Sequence, residues 1–459
     1  MPTPDPKSAI TADRARARAG EIAFPAPPDA NPAGRVGLEP EYFPIFRDQD
    51  GRPSGRVPLQ NPAAPGVLDV LDEMACEEAE FGNRRGGPVG PWEYRLADGG
   101  RITFEPGAQV EHSTAVYPSA AIALGDVQRV LACLRSAFLD RGAVLAAAGM
   151  DVWHDVESVP QQLPFGRYTA QAAYYERRGA WGRVMMRHTA SLQINVDLGP
   201  EGVWQERWLA ANLISPLITA TFGCSPGEAD ASTRAHAWQQ LDPSRSGFPE
   251  GLVAGDAWDP RGQWGDAAMA ADVMLFRSDD GSWAPGEPGF DFGTWISDGH
   301  PDYGWPTAED LEYHLTTIFL EVRPRGFLEL RAGEAVPDGL RAAQVVLVTS
   351  LLYDDRARRS AIDHLERHRH RLPELWRRAA RLGVGDSELQ EMAVSVWEEA
   401  LRGAERMGDD VGSEALAATR DFLERFTARG RTPAEKLREL LDEDPAEALA
   451  WAASDGGSS

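Results

Sequence analysis

Four short segments place acidic, amide or guanidinium side chains two residues apart. They are Glu39 and Glu41 in "GLEPEYF", Gln109 and Glu111 in "GAQVEHS", Gln193 and Asn195 in "SLQINVDLG", and Glu329 and Arg331 in "FLELR". Glu105 stands just before a Pro-Gly break that leads into the Gln109 pair. In an extended strand, residues i and i+2 project from one face, roughly 7 Å apart. Solvent-facing glutamates alternate with apolar residues on ordinary antiparallel sheets too, so no single pair is diagnostic. Taken together they say more: strands sharing one sheet would gather these glutamates beside an arginine. Unpaired buried carboxylates are costly, so such a cluster implies bound cations. Oxygen ligands without a cysteine or histidine pair favour Mg2+ or Mn2+ over zinc. Mg2+ held by several carboxylates points to phosphate chemistry.

The elements that must position these groups are legible as patterns. "HTASLQINVDLG" alternates polar Thr189, Ser191, Gln193, Asn195 and Asp197 with apolar residues, which predicts a half-buried strand over 188–199. Its polar face meets either solvent or a substrate cavity. "RVGLEPEYF", "GRITFEPG", "QVEHST" and "RGFLELR" are further strand candidates. Helical patterns cover 119–140, 204–222 and 307–319, the last with Thr307 and Asp310 at capping-box spacing. Beyond about 340 the chain reads as helical to its end, with "TPAEKLRELL" opening on a Thr-Pro entry signal. The expected organisation is a flexible Pro/Ala-rich tail (1–34), a single α+β catalytic domain (35–450) with a helical C-terminal half, and a disordered C-terminus (451–459).

The 459 residues carry a formal charge of −25, which argues against a nucleic-acid surface. The basic stretch from Arg356 to Arg381 interleaves arginine with Leu and Trp at helical spacing, the pattern of a solvated helix face. No apolar run of membrane-spanning length and no signal-peptide core stand out, so the expectation is a cytoplasmic protein with no membrane partner. Three scattered cysteines, Cys76, Cys133 and Cys224, make neither a zinc site nor a disulfide framework. Neither a Walker-A loop, a GxGxxG fingerprint nor a GxSxG elbow is present.

In family order, these motifs resemble those of plant-type glutamate–cysteine ligases, including the ergothioneine-pathway ligases of actinobacteria. The resemblance runs from about Arg35 to about Leu441. "GLEPEYF" looks like the family's ExE strand, "ITFEPGAQVEHS" like its EPGGQxELS segment, and "PFGRY" like its GRY element. "MMRHTASLQINVDLG", "RAHAWQQLDPSRSG", "TAEDLEYHLTTIFLEVRPRGFLELR", "LLYDD" and "RTPAEKL" continue the match. The resemblance implies a glutamine-synthetase-like carboxylate–amine ligase, whose core is a curved, mostly antiparallel sheet forming a funnel flanked by helices. It further implies that ATP phosphorylates the γ-carboxylate of L-glutamate and that the amine of L-cysteine displaces phosphate, giving γ-glutamylcysteine, ADP and phosphate. Carried over residue by residue, Glu39, Glu41, Glu105, Glu111 and Glu329 would hold Mg2+, with Mn2+ as a substitute. Gln109, Gln193 and Asn195 would serve the nucleotide side. Arg331 would stabilise the phosphoryl group in flight beside Glu329. Arg167, Thr189, Arg234 and Arg245 would bind substrate.

The chain departs from the family pattern at three places near the expected substrate wall. His188 stands where plant-type members carry Arg, with Arg187 its neighbour; Gly107-Ala108 replaces Gly-Gly; and Glu111-His112-Ser113 replaces Glu-Leu-Ser. These departures bear on acceptor specificity and leave a ligase of the same fold using a different amine as the alternative; a non-catalytic nucleotide binder is the reading from another class, and the intact carboxylate set argues against it. Monomer and homodimer are both open.

Overall fold

The computed structural model describes residues 10–26, 34–61, 65–78, 80–86, 91–200, 202–278 and 280–454. The remainder of the expected N-terminal tail and residues 455–459 lie outside these.

The five strand candidates all join one ten-stranded sheet. Its strands are β1 (Val36–Arg47), β2 (Pro53–Arg56), β3 (Phe81–Arg85), β4 (Glu93–Leu96), β5 (Arg101–Phe104), β6 (Val110–Ser113), β7 (Ala143–Ala146) and β8 (Leu192–Asp197), with two more from later in the chain. Between them in sequence come β9 (Ser246–Gly247) and β12 (Phe319–Leu320), which pair in parallel, and the hairpin of β10 (Leu275–Arg277) with β11 (Trp283–Pro285). The sheet is completed by β13 (Val322–Pro324) and β14 (Phe327–Leu330), and its order is β13-β14-β8-β1-β6-β5-β4-β3. All its pairings are antiparallel, and β13 and β3 leave it open at the edges.

β1 is the hub. Its first half lies between β8 and β6, and its second half pairs with β7 and β2. Pro40 is the last β1 residue in register with β8, a position where the lost N–H does least harm to a ladder. Register then does what the sequence pattern asked: Glu41 lies opposite Glu111, Glu39 opposite Gln193, and Glu329 opposite Asn195. The alternate residues Val36, Leu38, Leu192, Ile194, Val196, Leu328 and Leu330 are buried in one apolar cluster. That cluster is built on two helices, Val203–Phe222 and Asp338–Tyr353, both buried over most of their length. A helix apolar on all sides belongs inside a core. Among the described residues, no helix is long and apolar enough to cross a membrane.

Two expectations change. The tail reading fails at Ala12–Ala23, a helix whose Ala15, Ala19, Gly20 and Ala23 are buried against the helix Pro260–Ala270. Small residues four apart let the two backbones approach closely, and Arg261 donates to the Phe24 carbonyl (Nη2, 2.7 Å) to fix the end. At the other terminus, Trp451 and Ala452 close the helix Pro445–Ala452, with Ala452 buried. The strand over 188–199 is also shorter than its alternation suggests: residues 181–188 are helical, Thr189 caps that helix, and β8 begins at Leu192. Four arginines of the basic stretch, Arg358, Arg359, Arg371 and Arg378, pair with carboxylates; Arg378 bonds Asp386 (2.7 Å) and Glu388 (2.6 Å), and Arg371 bonds Glu388 (2.6 Å).

Candidate active site

The polar face of β1, β6, β8 and β14 walls a cavity of about 250 Å³. Glu39, Glu41, Glu105, Gln109, Glu111, Arg167, Thr189, Gln193, Arg234, Glu329 and Arg331 all line it, so most of the expected residues converge. A larger cavity, about 940 Å³, lies against the β10–β11 hairpin. Its ionisable groups are partly committed elsewhere: Asp310 accepts from the Thr307 N–H (2.8 Å), and His314 bonds the Ala268 carbonyl (2.9 Å).

Glu41, Glu105 and Glu111 form the acidic centre, with one carboxylate oxygen from each within 4.8 Å of the others. They differ in how much the protein satisfies them. Glu41 accepts from the Ser191 N–H (2.8 Å) and hydroxyl (2.7 Å), and Glu111 from Thr103 (2.7 Å) and Ser113 (2.9 Å). Among the described residues no side-chain or backbone donor bonds the Glu105 carboxylate. Burial raises the pKa of all three, and for Glu105 the adjacent Glu41 and Glu111 charges push it well above the usual range. Three carboxylates repelling one another, Glu41 and Glu111 buried and Glu105 half-buried, with oxygen atoms turned to a shared space, fit a hard divalent cation. Beside them Glu39 is pushed up to about 7 by burial and by Glu111 and Glu329, although Asn195 donates to it (2.8 Å). Asn195 itself lies behind Glu39, off the cavity wall.

Glu329 is the opposite case. Burial works against its charge, but Arg323, Arg331 and Arg325 overcome it and hold the carboxyl at about 2. Arg331 bonds one of its oxygens (2.6 Å) and Arg325 the other (3.0 Å), with Arg323 at 3.5 Å. Three guanidiniums already neutralise this carboxylate, so it lacks the electrostatic need for a cation that marks the trio. Arg323 and Arg325 escaped the sequence reading. Their signal was the hairpin "EVRPRGFLELR", which lays Arg323 opposite Glu329 across β13 and β14. Arg331 also donates to the Gln193 side-chain amide oxygen, Oε1 (2.7 Å), and lies 5.2 Å over the Trp238 ring and 5.3 Å over Phe319. Trp238 is both core and site floor.

Arg234 and Arg245 are buried, not surface arginines. Among the described residues the Arg234 guanidinium makes one hydrogen bond, from Nη2 to the Arg331 carbonyl (3.2 Å), and sits among Glu334, Glu41 and Glu321. The rest of its fork is available to an anion. Arg167 lies over Tyr168 and Tyr313, and its Nε is buried without a partner. Arg245 is elsewhere. Only 1% exposed, it is consumed by Asp242 (2.7 Å), the Thr317 carbonyl (2.6 Å) and the Asp272 carbonyl, which makes it a structural clamp and not a substrate ligand. Thr189 lines the cavity, but its hydroxyl donates to the Met185 carbonyl (2.7 Å). Gln109 donates to the Thr189 carbonyl (2.9 Å), leaving its own oxygen unpartnered. His188 lies behind the wall, with Nδ1 3.4 Å from the Asp151 carbonyl oxygen.

Two buried carboxylates support the site from outside the cavity. Glu334 accepts from the Cys224 N–H, Ser225 and Ser232, while Glu321 accepts from Ser215 (2.9 Å). Burial pushes Glu321 up to about 7 from the ordinary 4.5. The folded protein therefore keeps a proton there that the unfolded chain releases, and this contribution to stability falls as pH rises from 4.5 to 7. Glu321→Gln should match wild type near pH 4.5 and exceed it by about 2–3 kcal/mol at pH 8. Urea unfolding at the two pH values checks this.

The sequence profile of glutamate–cysteine ligase family 2 (GCS2) matches residues 35–453. The glutamate–cysteine ligase EgtA of Mycolicibacterium smegmatis is 36% identical over 423 residues, covering 89% of this chain and 88% of that protein. The chloroplastic glutamate–cysteine ligase of Brassica juncea is 28% identical over 361 residues, 74% of this chain and 67% of that one. A glutamate–cysteine ligase from Francisella tularensis, solved in complex with AMP, superposes with a TM-score of 0.50 at 12% identity, covering 94% of this chain and 90% of that chain. At that identity the likeness speaks for the fold, an antiparallel sheet walled by helices as found in a ligase. The length and identity of the sequence matches take the conclusion further: the chain belongs to glutamate–cysteine ligase family 2 and is a ligase.

Proposed function

We propose that this enzyme joins the γ-carboxylate of L-glutamate to the amine of L-cysteine at the expense of ATP, through γ-glutamyl phosphate. One observation carries the reading: a clustered carboxylate trio with an electrostatic need for cations shares one small cavity with Arg167, Arg234 and Arg331. Bound Mg2+ or Mn2+ would neutralise the triphosphate and polarise its γ-phosphoryl group. Glu41, Glu105 and Glu111 would hold the ion. Glu329, already neutralised, would aim Arg331 and not ligate metal. The Arg331 guanidinium, held on Gln193, Glu329 and the Trp238 ring, would meet the charge that develops as the phosphoryl group moves. A γ-carboxylate oxygen of glutamate forms a bond to the γ-phosphorus of ATP, and ADP leaves. The cysteine nitrogen then attacks the acyl carbon, loses a proton, and expels phosphate. No covalent protein intermediate is needed, so positioning and electrostatics supply the rate.

The test is ADP release by purified protein with ATP, Mg2+ and L-glutamate, with and without L-cysteine, and mass spectrometry of the product. Cysteine-dependent formation of γ-glutamylcysteine supports the reading. Turnover only with another amine keeps the acyl-phosphate chemistry and changes the acceptor. Tight nucleotide binding with no turnover for any amine removes the enzymatic reading. Arg234→Ala is expected to raise KM for L-glutamate about 10- to 100-fold, the loss of one charge-assisted contact, with a smaller change in kcat. An unchanged KM would shift that role to Arg167.

A further inference from the structure

Among the described residues no donor bonds the Glu105 carboxylate, so its place is set by the turn that carries it. That turn, Glu105-Pro106-Gly107-Ala108, closes through the Ala108 N–H on the Glu105 carbonyl (2.9 Å) and the Glu105 N–H on the Gln109 carbonyl (3.0 Å). Ala108 sits at φ 66, and among the described residues it is the one non-glycine in that left-handed region. Gly107 presses so close to the Arg187 carbonyl that a Cβ there would fall 2.3 Å from it. A strained, crowded turn holds its shape only when its surroundings over-determine it.

Gln162 holds part of that turn, its N–H on the Pro106 carbonyl (2.7 Å) and its side-chain amide on the Gly107 carbonyl (3.4 Å), and a buried ion pair holds the rest. Arg56 donates from Nη2 to the Gly107 carbonyl (2.6 Å) and from Nη1 to Asp151 (3.0 Å), with its guanidinium 4.7 Å over the Phe43 ring. Asp151 is fixed in turn by the Trp153 N–H (3.0 Å), by His154 Nδ1 (3.0 Å) and by its own N–H on the His188 carbonyl (3.0 Å). Neither Arg56 nor Asp151 lines the cavity. An arginine spent on one backbone carbonyl and one buried carboxylate is a brace, and the carbonyl it braces lies two residues from Glu105.

We propose that Arg56 and Asp151 are positioning residues for the cation site, acting through the Gly107 carbonyl to hold the Glu105 carboxylate against Glu41 and Glu111. The proposal rests on the reading of Glu105 as a cation ligand. Support one layer behind a metal ligand typically governs 10- to 100-fold in affinity. Lysine at position 56 keeps the charge but cannot span Asp151 and Gly107 together.

The experiment is Mn2+ binding to the nucleotide-free protein, followed by electron paramagnetic resonance, for wild type, Glu105→Gln, Arg56→Lys and Asp151→Asn, each with its thermal midpoint. Glu105→Gln that binds Mn2+ as wild type does would overturn the ligand reading, and the proposal with it. If Glu105→Gln weakens binding, folded Arg56→Lys or Asp151→Asn should weaken it about 10-fold or more. In active assays they should lower kcat and raise the Mg2+ requirement, with little change in KM for cysteine. Folded variants with a lower midpoint but wild-type Mn2+ affinity would show a purely structural pair and defeat the proposal. Asp151→Asn, which keeps the side chain's size, carries the test if Arg56→Lys does not fold.

Discussion

Glu105→Gln should lower kcat by about a thousandfold or more, roughly 4 kcal/mol of transition-state stabilisation, while making the metal-free protein more stable. The two effects have one cause. Among the described residues the Glu105 carboxylate receives no hydrogen bond, and it stands within reach of the buried Glu41 and Glu111 carboxylates. Removing its charge relieves like-charge repulsion on the order of 1–3 kcal/mol, the scale of one such contact in partly solvated surroundings. Its raised pKa sets the pH window. Burial and the Glu41 and Glu111 charges raise that pKa, so the wild-type disadvantage grows as pH rises above the ordinary carboxylate range and closes on acidification. Thermal unfolding without metal at pH 8 and pH 5, beside turnover at saturating substrates, checks both halves. Glu41→Gln should gain less stability, because Ser191 donors are left facing an amide.

Arg331→Lys should reduce kcat about 100- to 1,000-fold with little change in either amino-acid KM. The planar fork is held on Glu329 and Gln193, with aromatic rings beneath it, and this arrangement fits a guanidinium and not an ammonium. The fold should tolerate the change, since Arg323 and Arg325 still neutralise Glu329. Steady-state kinetics with ADP detection reads the effect. A loss confined to KM would show Arg331 acting in ground-state binding.

The site was legible wherever a strand carried it. Glu39, Glu41, Glu111, Gln193, Glu329 and Arg331 sit on period-two strands, and a strand's alternation decides which face a side chain takes. Arg245 was misread because its pattern, Asp-x-x-Arg at the end of a helix, says nothing about direction, and Asp242 three residues back captures it. The strand's reach was misread because the alternation runs unbroken into His188, which ends a helix, and Thr189, which caps it. Arg56 gave no signal at all. It stands in the four-residue strand β2, and its partners are 51 and 95 residues away.

By itself the sequence determined five of the sheet's ten strands, the helices over 119–140 and 204–222, the family and the residue types able to hold a cation, because periodicity and motif spacing are local properties. The tertiary structure decided what those groups do to one another. β1 pairing with both β6 and β8 put Glu41 opposite Glu111 and Glu39 opposite Gln193. The β13–β14 hairpin placed two further arginines on Glu329 and so set that carboxylate apart from the repelling trio. Charge is felt through space, and which glutamate is left in need of a cation depends on neighbours that the chain brings together only on folding.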